Sequence, residues 1–529
     1  MTGRGGIVLA ELSSGAVQGI ECVPVRVEVS VASGLPSFSV VGLAQGAVRE
    51  GRDRVRAALV NSGFPFPPLR ITVNLAPANV RKEGSGLDLP LALGLLAAFG
   101  ELPRERLAGR AFIGELGLDG DVRPVRGALA MARRCVRDNV ETLVVPRANG
   151  AEAAAVGSRL EVLGATTLRA VVAHLKGWER LERMGPRAPR HASGGGPDIG
   201  GDLAEVRGHA SIKRALEVAA AGGHNVLMLG PPGSGKTMLA RRLPGILPPL
   251  EQEEALDVTT IHSVAGLLPD EAGVLDHRPF RAPHHTISSA GLAGGGSPVL
   301  PGEMSLAHGG VLFLDELPEF PRQALEVLRQ PLESGEITII RARERARFPA
   351  RFTLVAAMNP CPCGHLGETS GRCTCDPVAV QRYQSRVSGP LRDRIDLHLP
   401  VTPIPFSELD RAPVGGDSAS ARARVMAARE LQRRRYGGGS GIHLNAAMGV
   451  AALRRHAACD DDGRELLGRA ADRLGFSSRA VHRVLKVART IADLEGVERV
   501  QRAHLAEAIQ YRLLDRRASW SLDREGHHS

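Results

Sequence analysis

An eight-residue loop near the middle of the chain constrains the fold more than any other feature. It reads Gly230, Pro231, Pro232, Gly233, Ser234, Gly235, Lys236 and Thr237. An apolar run at 225–229 precedes it, and a helical pattern follows it. Glycine lets backbone N–H groups wrap around an anion, and the start of a helix adds a favourable dipole. This strand–loop–helix pattern predicts a site for ATP, with Lys236 on the terminal phosphates and the Thr237 hydroxyl on Mg²⁺.

Length, charge and apolar patterning limit the class of protein. A chain of 529 residues should hold several domains, and its net charge of +10 favours a polyanionic partner, first of all nucleic acid. The arginine-rich usage of a GC-rich coding sequence would give the same charge. The longest apolar run, at 89–99, is too short to cross a bilayer, and the first residues lack the apolar segment of a signal peptide. We therefore expect a cytoplasmic protein with no membrane partner, whose seven cysteines stay reduced.

Shifts in composition divide the chain into six segments. Residues 1–180 alternate strand and helix patterns and predict an α/β domain. Residues 202–405 contain the phosphate loop and predict a second α/β domain, whereas residues 444–518 are helical throughout. The remaining segments are predicted to be a flexible linker rich in Gly and Pro at 181–201, a basic connecting segment at 406–443 and a frayed tail at 519–529. The expected fold class is α/β multidomain with an all-α C-terminal domain.

Two further strands end in residues that suit nucleotide chemistry. The strand at 310–314 leads into Asp315, which can hold Mg²⁺, and Glu316, which can activate the water that attacks the γ-phosphate. The strand at 352–358 ends in Asn359, which can orient this water or contact the γ-phosphate; as a residue before proline, it could instead only form a turn. His284 and His285 could contact the nucleotide machinery or be hydrogen-bonded loop residues, and the second interpretation is favoured.

These elements together resemble the AAA+ ATPases, in the branch with the magnesium chelatase motor subunits and the MCM helicases. By this resemblance Arg394 is the arginine finger, which reaches the nucleotide of the neighbouring subunit, with Arg392 as the nearby alternative. A guanidinium there offsets the charge that spreads over the phosphoryl oxygens in the transition state. A salt bridge of Arg394 with Asp393 or Asp396 is the structural alternative. Arg479, which opens a helix of the C-terminal domain, is similar to the second sensor of the lid.

Four cysteines form two close pairs across a polar, Gly-rich loop. They are Cys361, Cys363, Cys373 and Cys375. In a reducing compartment, two such pairs suggest a tetrahedral Zn²⁺ site. The C-x-C spacing is less common than C-x-x-C, so free or redox-active thiols are the alternative. The sequence predicts a structural zinc within the ATPase domain.

A basic segment between the two catalytic strands is predicted to be a hairpin. The pattern at 332–350 reads as a strand, a basic turn and a return strand, with arginines at alternating positions that could share one face: Arg341, Arg343, Arg345 and Arg347. In the MCM-like branch a hairpin at this place lines the pore of the ring and pulls on nucleic acid. The resemblance therefore implies phosphate contacts that do not depend on DNA sequence. A solvated basic edge strand is the alternative.

Four stretches narrow the resemblance further, at 278–286, 301–308, 359–364 and 487–495. They resemble the YifB/ComM family of magnesium-chelatase-like AAA+ proteins, over nearly the whole chain. The resemblance implies a Lon-protease-like N-terminal domain, an AAA+ core and a helical lid, assembled as a hexamer. It also implies a DNA helicase or translocase that promotes branch migration during natural transformation. A chelatase-type motor that remodels a partner protein for insertion of Mg²⁺ or Co²⁺ is the alternative.

The N-terminal domain lacks the residues that a Lon-like peptidase needs. Such an enzyme uses a serine nucleophile activated by a lysine. Here the position of the nucleophile falls on Gly86, one residue after Ser85, and the position of the lysine falls near Leu129. We therefore expect a non-proteolytic domain for DNA binding, partner binding or assembly. The basic turn at Arg81 and Lys82 is a candidate contact, or equally a solvated loop.

Overall fold

The computed structural model describes residues 8–42, 46–82, 84–187, 201–341, 344–367, 371–404, 416–437 and 442–516. They form two α/β units followed by a helical region, which confirms the expected mixed α/β multidomain class. Arg343, the tail at 519–529, most of the expected linker and parts of the connecting segment lie outside these residues.

An eight-stranded sheet forms the centre of the N-terminal unit, in the order β10-β9-β8-β5-β1-β2-β4-β3. Its strands are β1 (Val8–Gln18), β2 (Glu21–Ala32), β3 (Ser37–Val41), β4 (Arg70–Ala76), β5 (Arg110–Phe112), β8 (Thr142–Pro146), β9 (Glu161–Ala165) and β10 (Glu182–Arg183), with a separate pair β6 (Glu115–Leu116) and β7 (Val122–Arg123). The helices are α1 (Gly46–Asn61), α2 (Asp88–Ala98), α3 (Ala128–Arg137), α4 (Gly150–Ala153) and α5 (Leu168–Lys176). Because α2 is apolar on all sides, it is buried along its whole length against β1 and β2.

The first residues of the predicted linker belong to this sheet, which corrects the boundary at 181. Strand β10 pairs antiparallel with β9, with Glu182 opposite Gly164 and Arg183 opposite Leu163. Met184 packs against the core beside β8 and β9. Pairing satisfies backbone groups at the edge of the sheet, which the Gly and Pro content of the segment does not reveal.

A five-stranded parallel sheet carries the phosphate loop, in the order β12-β15-β18-β11-β19. The strands are β11 (Val226–Leu229), β12 (Phe280–Arg281), β15 (Val311–Leu314), β18 (Thr353–Met358) and β19 (Leu397–Pro400), with the hairpins β13 (Gly294–Gly295) with β14 (Leu300–Pro301) and β16 (Glu336–Arg341) with β17 (Glu344–Pro349). The helices are α6 (Ala210–Gly222), α7 (Lys236–Ile246), α8 (Gln252–Ala265), α9 (Ser289–Ala293), α10 (Glu303–Leu306), α11 (Arg322–Glu326), α12 (Pro331–Ser334), α13 (Pro377–Ser385) and α14 (Gly389–Arg392). Because all five strands are parallel, their carboxyl ends meet at one edge, where ligands bind in open α/β sheets.

The C-terminal region is helical and packs onto the ATPase core. It contains α15 (Ser418–Tyr436), α16 (Val450–His456), α17 (Asp461–Leu474), α18 (Ser478–Leu494) and α19 (Arg502–Gln510). Helix α15 lies within the segment expected to be a connection, but it is an integral part of the core. Its apolar face, with Val425 and Ala428, is buried against α6, α7 and α18. The sequence conceals this face, because several of its buried residues are small or polar, among them Ser418, Ala421 and Gln432.

The N-terminal unit contacts the ATPase core through α3 and α8. The Arg133 guanidinium donates to Asp257 Oδ1 at 2.7 Å, and the backbone N–H of Gly127 donates to Ser263 Oγ at 3.2 Å. Val264 of α8 is buried in the apolar cluster of the N-terminal unit. The two α/β units therefore share a packed boundary.

Candidate active site

The phosphate loop connects β11 to α7 at the carboxyl edge of the sheet. Gly233 and Gly235 have φ values of +75° and +88°, which residues with side chains adopt only under strain. The Lys236 side chain is buried, and its Nζ donates to the carbonyl oxygens of Gly230 at 2.7 Å and Pro231 at 2.8 Å. These bonds fold the loop around its own lysine. The strand–loop–helix order expected from the sequence is present, because β11 ends at Leu229 and α7 begins at Lys236.

Two observations fit this loop to a triphosphate and Mg²⁺. The Ser234 hydroxyl is buried and has no hydrogen-bond partner among the described residues, and a buried polar group of this kind needs one. A phosphate oxygen has the right chemistry for that bond. The Thr237 hydroxyl donates to Asp315 Oδ2 at 2.7 Å, so two hard oxygen ligands of the kind that Mg²⁺ prefers lie side by side.

Glu316 follows Asp315 in a left-handed backbone conformation, with φ of +52°. This conformation is uncommon for a residue with a side chain and often marks functional sites. The Glu316 side chain is 54% exposed, and its Oε2 lies 3.2 Å from Nδ1 of His285. His284 instead contacts the Thr286 hydroxyl at 3.0 Å, as expected for a hydrogen-bonded loop residue.

The sequence did not reveal that His285 lies against Glu316. The signal that could have found it is position: His285 follows β12, and β12 pairs with β15, which leads into Glu316. Neighbouring parallel strands bring the residues after their carboxyl ends together. Strand β12 has only two residues, so its sequence pattern is too short to predict it.

Asn359 lies next to the loop lysine. It follows β18, the neighbour of β11 in the sheet, and its Oδ1 accepts a hydrogen bond from Lys236 Nζ at 3.2 Å. Burial lowers the pKa of Lys236, and the nearby carboxylates of Asp315 and Glu316 act in the opposite direction. Side-chain hydrogen bonds thus pair Lys236 with Asn359 and Thr237 with Asp315, and the backbone N–H of Glu316 donates to Asp315 Oδ1 at 2.9 Å.

Arg394 is held by contacts other than those proposed as alternatives from the sequence. Its side chain is 12% exposed; Nη1 donates to Pro390 O at 2.8 Å, and Nη2 pairs with Glu333. Asp396 instead pairs with Arg483 and lies beside His224. Burial alone would raise the pKa of Asp396, but the charge of Arg483 and the hydrogen bond from His224 hold it below its usual range.

Arg479 lies in the first turn of α18 and is exposed. Ser477 caps this helix by accepting from the backbone N–H of Ala480 at 3.2 Å. One turn further on, Arg483 Nη1 donates to the carbonyl oxygen of Arg394 at 3.2 Å. The lid helix therefore contacts the segment that carries the expected arginine finger.

The four paired cysteines converge on one point. Sγ of Cys361 lies 3.4 Å from that of Cys363 and 3.8 Å from that of Cys373, and Cys363 and Cys373 are 3.7 Å apart. All four sulfurs, including that of Cys375, lie within 4.8 Å of one another. Cys361 is buried, and the other three are partly exposed. The arrangement is compatible with a zinc site.

Strands β16 and β17 form the expected hairpin, but its arginines do not all share a face. Arg345 and Arg347 are exposed and alternate with the buried residues Ala346 and Phe348. In the register, Arg345 lies opposite Ile340, whereas Arg341 lies opposite Glu344. Partners across an antiparallel pair share a face, so Arg341 occupies a position on the other face. The expectation of a common face is therefore wrong for Arg341.

The buried face of the hairpin contacts the turn between β1 and β2. Phe348 and Ala346 pack with Val299 and Ile20. Gln18 Nε2 donates to the Arg345 carbonyl at 3.4 Å. Gly19, with φ of +64°, is so close that a Cβ built on it would lie 2.7 Å from the carbonyl oxygen of Arg347. The hairpin therefore lies directly on the N-terminal unit.

The loop compared with Lon-like peptidases has its polar groups satisfied. The Ser85 hydroxyl donates to Glu115, and Leu129 is buried in an apolar cluster. Lys82 has no exposed surface; its Nζ donates to Gly42 O at 3.0 Å and also to Pro77 O. Lys82 is therefore not available for the DNA or partner contact considered from the sequence.

Three family models cover most of the chain. The model "Magnesium chelatase, subunit ChlI" matches residues 202–409, "Subunit ChlI of Mg-chelatase" matches 27–149, and "Magnesium chelatase, subunit ChlI C-terminal" matches 415–512. Competence protein ComM of Haemophilus influenzae is 44% identical over 515 residues, which cover 96% of this chain and 98% of that protein. The protein YifB of Salmonella typhimurium is 44% identical over 509 residues, with coverage of 96% and 98%. The chain belongs to the YifB/ComM family of magnesium-chelatase-like AAA+ proteins.

A more distant relative of this YifB/ComM family member is the magnesium-chelatase 38 kDa subunit of Rhodobacter capsulatus. It is 28% identical over 173 residues, which cover 29% of this chain and 49% of that protein. The family supports ATPase activity, as do the joined phosphate loop and acidic strand end. Within the ranges that the structure describes, no helix has the length and apolar character needed to cross a membrane.

Proposed function

We propose that this protein is a hexameric, Mg²⁺-dependent ATPase that moves DNA through its ring and promotes branch migration. The observation that carries the DNA part is the hairpin of β16 and β17, with Arg345 and Arg347 exposed on one face. Two guanidinium groups two residues apart can contact successive backbone phosphates without reading the bases. The similarity to competence protein ComM, which covers both chains almost fully, supports the same assignment.

In this proposal the residues around the phosphate loop divide the work of ATP hydrolysis. Lys236 and the loop backbone bind the terminal phosphates, and Ser234 gains a partner there. Thr237 and Asp315 hold Mg²⁺, which neutralises the charge of the phosphates when it is bound. Glu316 accepts the proton of the attacking water, and Asn359 orients that water from the side of Lys236.

Arg394 and Arg479 support the proposed ring. Arg394 would leave Glu333 to reach the nucleotide of the next subunit, and Arg479 would contact nucleotide from the lid. Both arginines already lie in connected segments, because Arg483 of α18 binds the Arg394 carbonyl. A ring in which each site needs a neighbour couples hydrolysis between subunits.

The cofactors in this proposal are ATP and Mg²⁺, with Zn²⁺ at Cys361, Cys363, Cys373 and Cys375. The N-terminal unit is proposed to have a Lon-protease-like fold without the serine–lysine pair, and to act in assembly or partner binding. Its packing on α8 and on the hairpin supports a role in transmitting movement within the ring.

The test is ATP turnover and binding of forked DNA at low salt, for the wild type and two double variants. Arg345→Ala with Arg347→Ala should lose stimulation by DNA and lower the salt dependence of binding by about two phosphate contacts. Arg104→Ala with Arg106→Ala removes two exposed arginines of the N-terminal unit and should change neither. A wild type that neither binds forked DNA nor responds to it would overturn the DNA assignment.

A chelatase-type motor is the second candidate, because all three matching family models carry the chelatase name. Such a motor would remodel a partner protein for insertion of Mg²⁺ or Co²⁺ and would have no use for DNA. The chelatase-type motor would be favoured if ATP turnover does not change with forked DNA but rises in the presence of a purified magnesium-chelatase partner subunit.

A further inference from the structure

The four-cysteine site lies directly against the phosphate loop. Cys361 comes two residues after Asn359, whose amide accepts a hydrogen bond from Lys236. Gly364 has φ of +85°, and a Cβ built on it would lie 2.6 Å from Cδ of Pro232 and 3.8 Å from Cγ of Asn359. The cysteine loop therefore touches the candidate ATP site at two points, Pro232 in the phosphate loop and Asn359 after β18.

The sulfur distances fit a tetrahedral metal rather than a disulfide. A zinc–sulfur distance of about 2.3 Å gives a sulfur–sulfur edge of about 3.8 Å in a tetrahedron. The three separations of 3.4, 3.7 and 3.8 Å are close to this edge. A disulfide would need about 2.05 Å.

The far end of the cysteine loop is anchored back to its beginning. Asp376, next to Cys375, caps α13 by accepting from the backbone N–H of Ala379 at 2.7 Å. Gln384, buried near the end of α13, donates from Nε2 to the Pro360 carbonyl at 2.9 Å. The hydrogen bond from Gln384 thus joins the end of α13 to the residue that precedes Cys361.

We propose that Zn²⁺ bound by the four cysteines positions Asn359 and Pro232, so that occupancy of the metal site sets the rate of ATP hydrolysis. The inference rests on the ATPase and zinc assignments and is independent of the DNA assignment. Without the metal, the loop between the cysteine pairs loses its cross-link and gains conformational freedom. The sensor amide then loses its fixed orientation, which lowers turnover more than nucleotide affinity, because orientation of the attacking water matters chiefly in the transition state.

The test compares Cys375→His with Cys375→Ser in the full-length protein. Three cysteines and one histidine are a known zinc ligand set, whereas serine is not. Zinc per chain, ATP turnover without DNA and affinity for a fluorescent ATP analogue are measured. Cys375→Ser should lose zinc and about 10–100-fold in kcat with little change in nucleotide affinity, as for other residues that position a site. Cys375→His should restore both, and Cys459→Ser, at an isolated cysteine, should match the wild type.

Gly364→Ala separates the metal from the contact it supports. This variant keeps all four cysteines but pushes a methyl group against Pro232, so it should keep its zinc and lose turnover. Full turnover in Cys375→Ser after loss of zinc, or in Gly364→Ala, would overturn the coupling. Wild-type protein without zinc would overturn the metal assignment. A wild type that hydrolyses ATP in a zinc-dependent way but ignores DNA would overturn only the proposed translocase.

Discussion

Two loops of this molecule, one in each α/β unit, share a lysine bonded to backbone carbonyls and a nearby serine. In the ATPase core, Lys236 bonds Gly230 and Pro231, and Ser234 lies two residues earlier. In the N-terminal unit, Lys82 bonds Gly42 and Pro77, and Ser85 follows three residues later. Burial lowers the pKa of both lysines. By these features alone, the two loops look alike.

The two loops differ in how far their polar groups are satisfied. The Ser85 hydroxyl has Glu115 as its partner, whereas the Ser234 hydroxyl has none among the described residues. Lys236 Nζ lies 3.2 Å from Asn359 Oδ1 and near two carboxylates that oppose the effect of burial on its pKa, whereas burial is the cause of the lowered pKa of Lys82. A buried lysine in a glycine-rich turn is therefore not a ligand site by itself. The phosphate loop differs because a buried hydroxyl beside its lysine, that of Ser234, has no hydrogen-bond partner among the described residues.

The largest difference in ATP turnover should come from the glutamate that lies near each loop, Glu316 in the ATPase core and Glu115 in the N-terminal unit. Glu316→Gln removes the base for the attacking water and should lower ATP turnover by about 10²–10⁴-fold, while ATP still binds. Glu115→Gln removes only the charge of the group that accepts from Ser85 and should leave turnover unchanged. Steady-state hydrolysis and nucleotide binding measure both. Equal losses in the two variants would contradict the distinction between the loops.

Substitution of the two lysines should give the next largest difference in ATP turnover. Lys236→Ala should lower turnover by about 10²–10³-fold or more and weaken nucleotide binding, because a positioned cation for the phosphates is lost. Lys82→Met should keep turnover but lower the free energy of unfolding by about 1–3 kcal/mol, because the two hydrogen bonds from Lys82 Nζ to the carbonyl oxygens of Gly42 and Pro77 are lost. Hydrolysis assays and chemical denaturation check the pair. Loss of turnover in a folded Lys82→Met protein would show that the N-terminal loop acts on the ATP site.

The serines give the smallest and most discriminating difference. Ser85→Ala leaves Glu115 without its donor and should destabilise the nucleotide-free protein by about 1 kcal/mol. Ser234→Ala removes a hydroxyl without a partner, so the nucleotide-free protein should be equally or more stable, while ATP stabilises it less than it stabilises the wild type. Thermal melts with and without ATP measure this reversal. An equal gain from ATP in both variants would argue against a phosphate contact at Ser234.

Features set by local sequence could be predicted, because each motif carries its own geometry. The phosphate loop, Asp315, Glu316 and Asn359 follow apolar strands, and adjacency in a parallel sheet brings them together. The close spacing of the four cysteines in the sequence likewise predicted that their sulfurs lie together. The fold class and the helical C-terminal region follow from apolar periodicity, which does not require knowledge of long-range contacts.

Features set by pairing between distant segments could not be predicted. Alternation along the chain suggested one face for four arginines. Across the turn, however, odd-numbered residues of one strand lie opposite even-numbered residues of the other, so Arg341 and Arg345 fall on opposite faces. His285 meets Glu316 only because two strands are neighbours, and Arg394 meets Glu333 from 61 residues away. The satisfied state of Ser85 depends on Glu115 in the small β6–β7 pair, which no local pattern reveals.

The contact of Gly19 with the hairpin has a mechanical consequence. The hairpin of β16 and β17 is seated on the turn between β1 and β2, and its carbonyl at Arg347 is too close to Gly19 to admit even a methyl group. Movement toward that side is blocked, and movement away exposes Phe348 and Ile20 to water. In the proposed DNA motor, the N-terminal unit would therefore limit the movement of the hairpin, and the distance moved in each cycle would depend on how far the two can separate.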